Sequence, residues 1–250
     1  MPLVEVITAE ATSEDTLARC LAFSRTTKKT AIVVNDGYGF FTTRMFSAYI
    51  LEAAELVAEG HDPVLIEWAA RREGMVVSPL KVFDEVTLTL GKKALESREA
   101  YTGETLDSPG LRLLKALVEQ GRHGKAAGQG FYDYSSKPRR LWAGLSELTA
   151  DEPEVTGVDY IAERLMLAQA LEAARTLDEG ILTSARDGEI GAIFGVGFAP
   201  NTGGPFAWLD RQGAANVVTR AEQLVADGHA RFAPPANLKA MAESGETFFE

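Results

Sequence analysis

Two kinds of hydrophobic pattern divide this chain: short β-branched runs near its start, and helical periodicity from about residue 45 onward. Residues 2–7 and 31–34 predict strands, because they are short, apolar and rich in valine and isoleucine. Hydroxyl and acidic residues at 12–15 predict a helix start between these strands. A β-α-β unit normally belongs to a larger parallel sheet, because a two-stranded sheet is marginal alone. We therefore expect open strand edges that favour self-association.

The helical part begins with a strongly apolar segment. In Met45–Glu59 a single stripe of glutamates is clearly polar, which predicts a central helix that ends at Gly60. Two later positions, Asp62-Pro63 and Ser78-Pro79, combine a capping side chain with proline and predict further helix starts. The further helices predicted in this half are Val64–Glu73 closed by Gly74, Ser78 to about Ala94, and Ser108–Glu119.

The second half of the chain repeats the first. An eleven-residue helical segment recurs without gaps after 120 residues, and an arginine upstream of it recurs at the same offset. The glutamates that occupy equivalent places among alanines are expected to pair with arginines between helices. The matching positions are 50–60 with 170–180, Arg44 with Arg164, and Glu52 with Glu172.

A second pair of matching segments, Pro79–Asp84 and Pro205–Asp210, lies at an offset of 126 residues. The second copy therefore carries about six additional residues, which fall around Gly195–Phe198. Long helices that are joined by short turns and present twice predict two related helical domains. We expect the linker between them near Ser135–Pro153.

Composition excludes several classes of partner. The formal net charge of −11 argues against a nucleic-acid partner, because phosphate binding needs clustered lysine and arginine. No apolar run approaches the length of about 20 residues that a bilayer-spanning helix needs. No charged-then-apolar leader pattern stands at the N-terminus, so the sequence predicts a cytoplasmic protein without a membrane span.

Cysteine and histidine give no sign of a metal site. Cys20 is the only cysteine, which excludes an internal disulfide, and its place in the apolar run Leu17–Phe23 predicts that it is buried by packing. His61, His123 and His229 stand in turn-like contexts without metal-ligand spacing. We therefore assign these histidines no chemistry and expect no bound metal.

Glycine-rich segments mark two further places. Val34–Arg44 joins the second predicted strand to the helical part, and Gly37 and Gly39 allow its turn because glycine tolerates backbone angles that other residues resist. The segment is typical of a connection between two domains. Gly124–Tyr132 is similar to a phosphate-binding loop, but no strand precedes it. A structural turn anchored by its two terminal aromatic residues is the favoured interpretation.

The segments Val34–Arg44 and Gly124–Tyr132, together with Ser78-Pro79-Leu80, resemble 3-hydroxyacyl-CoA dehydrogenases. The resemblance is strongest to the tandem C-terminal domains of multifunctional fatty-acid β-oxidation α subunits. The loop Gly195–Pro205 is similar to the signature of the second helical copy. The resemblance implies a mainly α fold: two repeated helical domains like the C-terminal domain of 6-phosphogluconate dehydrogenase, after a remnant β-α-β unit of a Rossmann-type domain. It implies that residues 1–35 end the NAD-binding domain, 36–140 form the first helical domain and 141–250 form the second.

The resemblance also implies an activity, the NAD-dependent oxidation of 3-hydroxyacyl-CoA to 3-oxoacyl-CoA. In relatives a histidine removes the hydroxyl proton, and a glutamate further along the chain orients and charges it. That glutamate corresponds to Glu5. The histidine and the glycine-rich nucleotide fingerprint would precede Met1. We therefore expect NAD as the cofactor of the complete enzyme and none bound by this chain alone.

Three further positions correspond to the substrate side of the family. Thr43 stands where relatives often place an asparagine that holds the substrate carbonyl, and a helix N-cap is an equal interpretation of it. Gly39 and Phe40 are further candidates for substrate binding beside the acyl chain, although the turn is the first role of Gly39 and the core is the favoured place of Phe40. Some relatives have a cofactor-binding lysine in the second glycine-rich segment, where this chain has Ala126 next to Lys125.

The sequence thus predicts the C-terminal, substrate-binding and dimerisation portion of an NAD-dependent 3-hydroxyacyl-CoA dehydrogenase of fatty-acid β-oxidation. The expected partners are an acyl-CoA substrate and either a second copy of the chain or a missing N-terminal domain. The alternative is a non-catalytic helical module for assembly or acyl-CoA binding. That alternative is favoured for the isolated chain if Met1 is its true start.

Overall fold

The computed structural model describes residues 2–103 and 105–249, so Met1, on which the prediction about the true start depends, lies outside the described residues. Most of the described chain is helical, which confirms the mainly α prediction. In chain order the elements are β1 (Leu3–Thr8), α1 (Glu14–Thr26), β2 (Thr30–Asn35), α2 (Thr42–Ala58), α3 (Pro63–Glu73), α4 (Pro79–Val86), α5 (Leu88–Thr102), α6 (Pro109–Glu119), β3 (Tyr132–Asp133), β4 (Arg140–Leu141), α7 (Val158–Asp178), α8 (Ala185–Gly191), α9 (Pro205–Gln212), α10 (Ala214–Ala226) and α11 (Ala236–Ser244).

The predicted β-α-β unit is present. Strands β1 and β2 pair in parallel, from Leu3 opposite Thr30 to Thr8 opposite Asn35. Helix α1 starts where its hydroxyl and acidic residues predict, because the Ser13 side chain accepts a hydrogen bond from the backbone N–H of Thr16 at 3.2 Å.

The second edge of this small sheet is partly closed. The backbone N–H of Asn35 donates to the Ile181 carbonyl at 2.8 Å, and Val34 forms an antiparallel bridge with Leu182. The Asn35 side chain also donates to the Gly180 carbonyl at 2.8 Å. Residues 180–182 therefore cover part of the edge of β2. The prediction of self-association through open strands now applies to the outer edge of β1.

Helix α1 is more exposed than its apolar residues predict. Cys20 is exposed, which makes the prediction of a buried cysteine wrong, and Phe23 is 69% exposed. Ser24 is the one residue of α1 that is buried, so only a narrow face of the helix is covered. The reason is geometric, because a sheet of two strands offers too little surface to cover a 13-residue helix.

Local capping signals place most helix boundaries correctly. Asp62 caps α3 by accepting the Val64 N–H at 2.8 Å, and Gly74 ends it in the left-handed conformation. The single helix predicted to about Ala94 is wrong, because Thr87 has φ of 79° and divides it into α4 and α5. The Thr87 hydroxyl then accepts the N–H of Leu90 and so caps the second of these helices.

The chain forms two compact units, and neither unit corresponds to a single repeat of the sequence. The first contains the described parts of residues 1–46 and 166–250, and the second contains those of 47–165. The boundaries fall inside α2 and inside α7, so each long helix contributes to both units. This division reflects spatial contact, whereas the predicted boundaries at 35 and 140 follow from the family resemblance and from the repeat in the sequence, and they stay a prediction.

Each unit contains one of the predicted arginine–glutamate pairs. In the second unit, Arg164 Nε donates to Glu52 at 2.6 Å, and both terminal nitrogens of its guanidinium donate to Glu59. In the first unit, Arg44 Nε donates to Glu172 at 2.6 Å and the terminal nitrogens donate to Glu179. The arginine of each repeat therefore binds the glutamates of the other repeat.

Two further hydrogen-bond patterns occur once in each repeat. The Glu67 carboxylate accepts the N–H groups of residues 80 and 81, and Glu189 accepts those of residues 206 and 207. Asp84 accepts the N–H groups of Phe131 and Tyr132, and Asp210 accepts those of residues 248 and 249. These shared contacts confirm that the two halves are structural repeats.

Candidate functional site

The candidate site lies where β2 gives way to α2. The chain leaves β2 at Asn35 and turns through Gly39 and Phe40, which have φ of 67° and 51°. Helix α2 begins at Thr42. Glycine accepts such a left-handed conformation easily, whereas a phenylalanine there is strained, and strained backbone is frequent at functional sites.

Glu5 on β1 reaches the start of α2. Its Oε1 accepts the backbone N–H groups of Phe41 at 3.1 Å and Thr42 at 3.0 Å. Its Oε2 accepts the hydroxyl of Thr42. A carboxylate at this position satisfies amides that have no partner within the helix and lies at the positive end of the helix dipole. Glu5 is thereby held at a fixed place.

The predicted substrate-side residues surround this contact. Thr43 is exposed and lies one residue inside α2, so the helix-cap interpretation of Thr43 is wrong. Gly39 and Phe40 are half-buried in the preceding turn. Phe41 is fully buried, as predicted for a core residue. Glu5 thus contacts Phe41 and Thr42. Along the sequence these two residues lie between Phe40 and Thr43.

Two glycines of the second repeat pack closely against residues at the site. An added Cβ on Gly191 would lie 2.8 Å from side-chain atoms of Ile32 and Phe41. One on Gly195 would lie 2.7 Å from Leu3 and 2.9 Å from Thr42. The absence of side chains at both glycines therefore permits the close approach. Gly195 lies in a π-helical turn, residues 192–196, where the sequence comparison places extra residues in this copy.

The β-α-β unit does not fit the phosphates of a dinucleotide. The connection from β1 to α1 contains no glycine, and the first turn of α1 carries Glu14 and Asp15. A dinucleotide pyrophosphate is bound by a glycine-rich turn at a helix N-terminus without such negative charges. These residues would repel it.

The other glycine-rich loop is anchored by its two terminal aromatic residues, as predicted. Phe131 and Tyr132 are buried, and their N–H groups donate to Asp84 at 2.8 and 3.0 Å. Burial raises the pKa of Asp84 above its ordinary value, while these hydrogen bonds act in the opposite direction. Lys125 forms an ion pair with Glu85 at 2.9 Å.

The described part of the chain, residues 2–103 and 105–249, contains neither a metal-binding cluster nor a helix that could span a membrane. No group of histidine, cysteine, aspartate or glutamate side chains in it could hold a metal ion. None of the helices in it combines the length and the apolar character that crossing a bilayer requires.

Comparison with known families matches both sides of the candidate site. Residues 39–134 match the C-terminal domain of 3-hydroxyacyl-CoA dehydrogenase, and residues 1–37 match the NAD binding domain of 3-hydroxyacyl-CoA dehydrogenase. The chain belongs to the 3-hydroxyacyl-CoA dehydrogenase family. Glu5 lies in the second of these matched segments and Thr43 in the first.

Curated relatives extend this similarity over the whole chain. The fatty acid oxidation complex subunit alpha of Shewanella frigidimarina (strain NCIMB 400) is 39% identical over 257 residues. The subunit of the same name from Shewanella amazonensis (strain ATCC BAA-1098 / SB2B) is 41% identical over 254 residues. Each alignment includes 100% of this chain and 36% of the relative, so the chain spans about a third of the relatives' length.

A solved structure agrees with the fold. The 3-hydroxybutyryl-CoA dehydrogenase of Escherichia coli K12 superposes with a TM-score of 0.80 at 20% identity. The superposition includes 98% of this chain and 68% of that chain. At this identity the similarity concerns the arrangement of the backbone and not the chemistry of the site.

Proposed function

We propose that this chain is the substrate-binding and dimerisation portion of an NAD-dependent 3-hydroxyacyl-CoA dehydrogenase of fatty-acid β-oxidation. The complete enzyme would oxidise 3-hydroxyacyl-CoA to 3-oxoacyl-CoA. The observation that carries the proposal is the Glu5 carboxylate, fixed at the start of α2 by two amides and a hydroxyl within a chain of this family. A carboxylate in a fixed position is what a histidine base needs to be oriented and charged.

Four residues would have roles in this proposal. Glu5 would orient and charge the histidine base. The exposed hydroxyl of Thr43 would donate a hydrogen bond to the substrate carbonyl. Gly39 and Phe40, in the turn before α2, would lie beside the acyl chain. The four residues are close along β1 and the start of α2, which supports a shared site.

NAD would be bound by the complete enzyme and supply the hydride acceptor, and this chain alone would bind none. The glycine-free connection from β1 to α1 and its acidic neighbours support this division. We propose residues 1–35 as the end of the nucleotide-binding domain, with helical domains over 36–140 and 141–250. We also propose a cytoplasmic homo-oligomer that binds acyl-CoA, without nucleic acid.

Calorimetric titration of this chain with acetoacetyl-CoA and separately with NADH tests the proposal. We expect weak binding of the thioester and no heat with NADH. Thr43→Val should weaken acetoacetyl-CoA binding about fivefold, which corresponds to about one hydrogen bond. Thr26→Val is the matched control, because its hydroxyl donates to the Ala22 carbonyl on α1, away from the site. Tight NADH binding, or equal affinities in both variants, would contradict the proposal.

The second candidate is a non-catalytic helical module for assembly or acyl-CoA binding. The misfit between the β-α-β unit and a dinucleotide favours it for the chain by itself. The two candidates separate when the natural gene product that carries residues 1–250 is given acetoacetyl-CoA and NADH. Oxidation of NADH supports the dehydrogenase, and thioester binding without oxidation supports the module.

A further inference from the structure

We propose that Thr42 is a positioning residue, which holds the Glu5 carboxylate in the orientation that its partner base requires. The inference rests on the proposed dehydrogenase function and deepens it. Thr42 is adjacent to Thr43, the residue that the sequence comparison singles out, and no motif in the sequence points to it. Its hydroxyl donates to Glu5 Oε2, whereas Thr43 is exposed.

The Glu5 carboxylate has a limited number of acceptor sites. An ionised carboxylate offers about four acceptor sites, two on each oxygen. On Glu5, both sites of Oε1 are used by the N–H groups of Phe41 and Thr42, at 3.1 and 3.0 Å. One site of Oε2 is used by the Thr42 hydroxyl. The acceptor site available for an imidazole N–H is therefore the second one on Oε2.

The Thr42 hydroxyl fixes the direction of that site. The amides hold one oxygen, but terminal carboxylate torsions are broad and allow the other oxygen to swing. A hydroxyl donor on Oε2 removes this freedom and leaves one direction for the base. Side chains that support a reacting group improve its geometry in this way, because they hold it in one orientation.

The Thr42 side chain is itself constrained. Its Cγ2 would lie 2.9 Å from a Cβ added at Gly195, so the methyl group packs closely against the π-helical turn. A β-branched residue on a helix has few χ1 rotamers, and this packing restricts them further. Packing against the second repeat therefore helps to fix the direction of the Thr42 hydroxyl, although its hydrogen bond to Glu5 joins α2 to β1.

Steady-state kinetics on the natural gene product that carries residues 1–250 tests the proposal, with acetoacetyl-CoA and NADH as substrates. Thr42→Val should lower kcat about tenfold with little change in KM and should shift the acid limb of the pH–rate profile. Thr42→Ser retains the hydroxyl and should recover kcat to within about threefold of the wild type. Ser13→Ala removes a capping hydroxyl from α1 in the same unit and should leave kcat unchanged.

Amide hydrogen exchange adds a readout that needs no turnover. In Thr42→Val the Phe41 amide should exchange several-fold faster than in the wild type or Thr42→Ser, because the carboxylate that accepts it is less constrained. Wild-type kcat in Thr42→Val, or equal losses in Thr42→Val and Thr42→Ser, would overturn the positioning role alone. A wild-type protein that does not oxidise NADH would overturn the proposed function and the inference with it.

Discussion

Arg164 and Arg44 occupy equivalent places in the two repeats and make equivalent contacts, but their surroundings differ. The side chains of Arg164 and Glu52 are 0% and 1% exposed. Those of Arg44 and Glu172 are 13% and 16% exposed, and that of Glu179 is 49% exposed. The pair Arg164–Glu52 is therefore shielded from water, whereas the equivalent pair Arg44–Glu172 is within reach of it.

The difference in exposure changes what each cluster contributes. Charges in a dry interior attract one another strongly but have lost their hydration, so a missing partner is costly. In the wetter cluster the solvent replaces part of a lost contact. Glu172 also has a second partner, Arg175 at 2.7 Å. Although burial raises the pKa of Glu172, Arg44 and Arg175 lower it below its ordinary value.

The largest expected effect is that of Arg164→Leu. It should lower the free energy of unfolding by about 3–5 kcal/mol, because the buried Glu52 and the partly buried Glu59 would both lose their guanidinium partner. Arg44→Leu should lower it by about 1–2 kcal/mol, since Glu172 retains Arg175 and Glu179 is half in water. Urea unfolding followed by circular dichroism measures both values. Equal losses would show that burial does not set the difference between the repeats.

Asp84 and Asp210, which occupy matching places in the two repeats, also compare a buried with a more exposed position. Asp84 is fully buried and accepts three hydrogen bonds, including one from the Tyr134 hydroxyl at 3.0 Å. Asp84→Ala should cost about 2–4 kcal/mol, because buried N–H groups would lose their acceptor. Asp210 is half-buried and accepts two hydrogen bonds near the C-terminus, so Asp210→Ala should cost about 1 kcal/mol. Thermal unfolding of the two variants measures both costs, and similar losses of stability would show that burial is unimportant.

The smallest expected effect depends on pH. Burial raises the pKa of Glu189 to about 7 from an ordinary 4.5, although the N–H groups of residues 206 and 207 act against it. The folded protein thus binds this proton more tightly than the unfolded chain, and the stabilisation is complete below pH 4.5 and is lost as the pH rises through 7.

Glu189→Gln should therefore flatten part of the pH dependence of stability. Between pH 5 and 8 the free energy of unfolding of the wild type should fall relative to that of the variant by about 1 kcal/mol, after allowance for solvent screening. Glu67→Gln is the matched change in the other repeat, where burial also raises the pKa of the carboxyl group. A constant difference between wild type and Glu189→Gln across this range would contradict the assignment.

The features that the sequence predicts well depend on neighbouring residues or on repetition. Asp62 and Gly74 set the ends of α3 through contacts within a few residues. The pairing of Glu52 and Glu172 with arginines follows from their equivalent places in the repeat. Both kinds of signal are visible in a single chain without knowledge of its tertiary contacts.

The features that it misses depend on distant parts of the chain. The exposure of Cys20 reflects how little sheet lies beneath α1, and the break at Thr87 reflects a backbone angle that no local pattern marks. The contact between Glu5 and Thr42 joins residues 37 positions apart. The resemblance to a family directs attention to Glu5 and Thr43, but only the fold shows that Thr42 donates to Glu5.

The helices α2 and α7 run through both compact units, and this has a consequence for the topology of the chain. A cut near residue 140 would separate the two repeats in sequence, yet each compact unit would still need segments from both fragments. The fragments would behave as complementary parts that reassemble, and neither would be a free-standing domain. Each compact unit is therefore assembled from segments of both repeats.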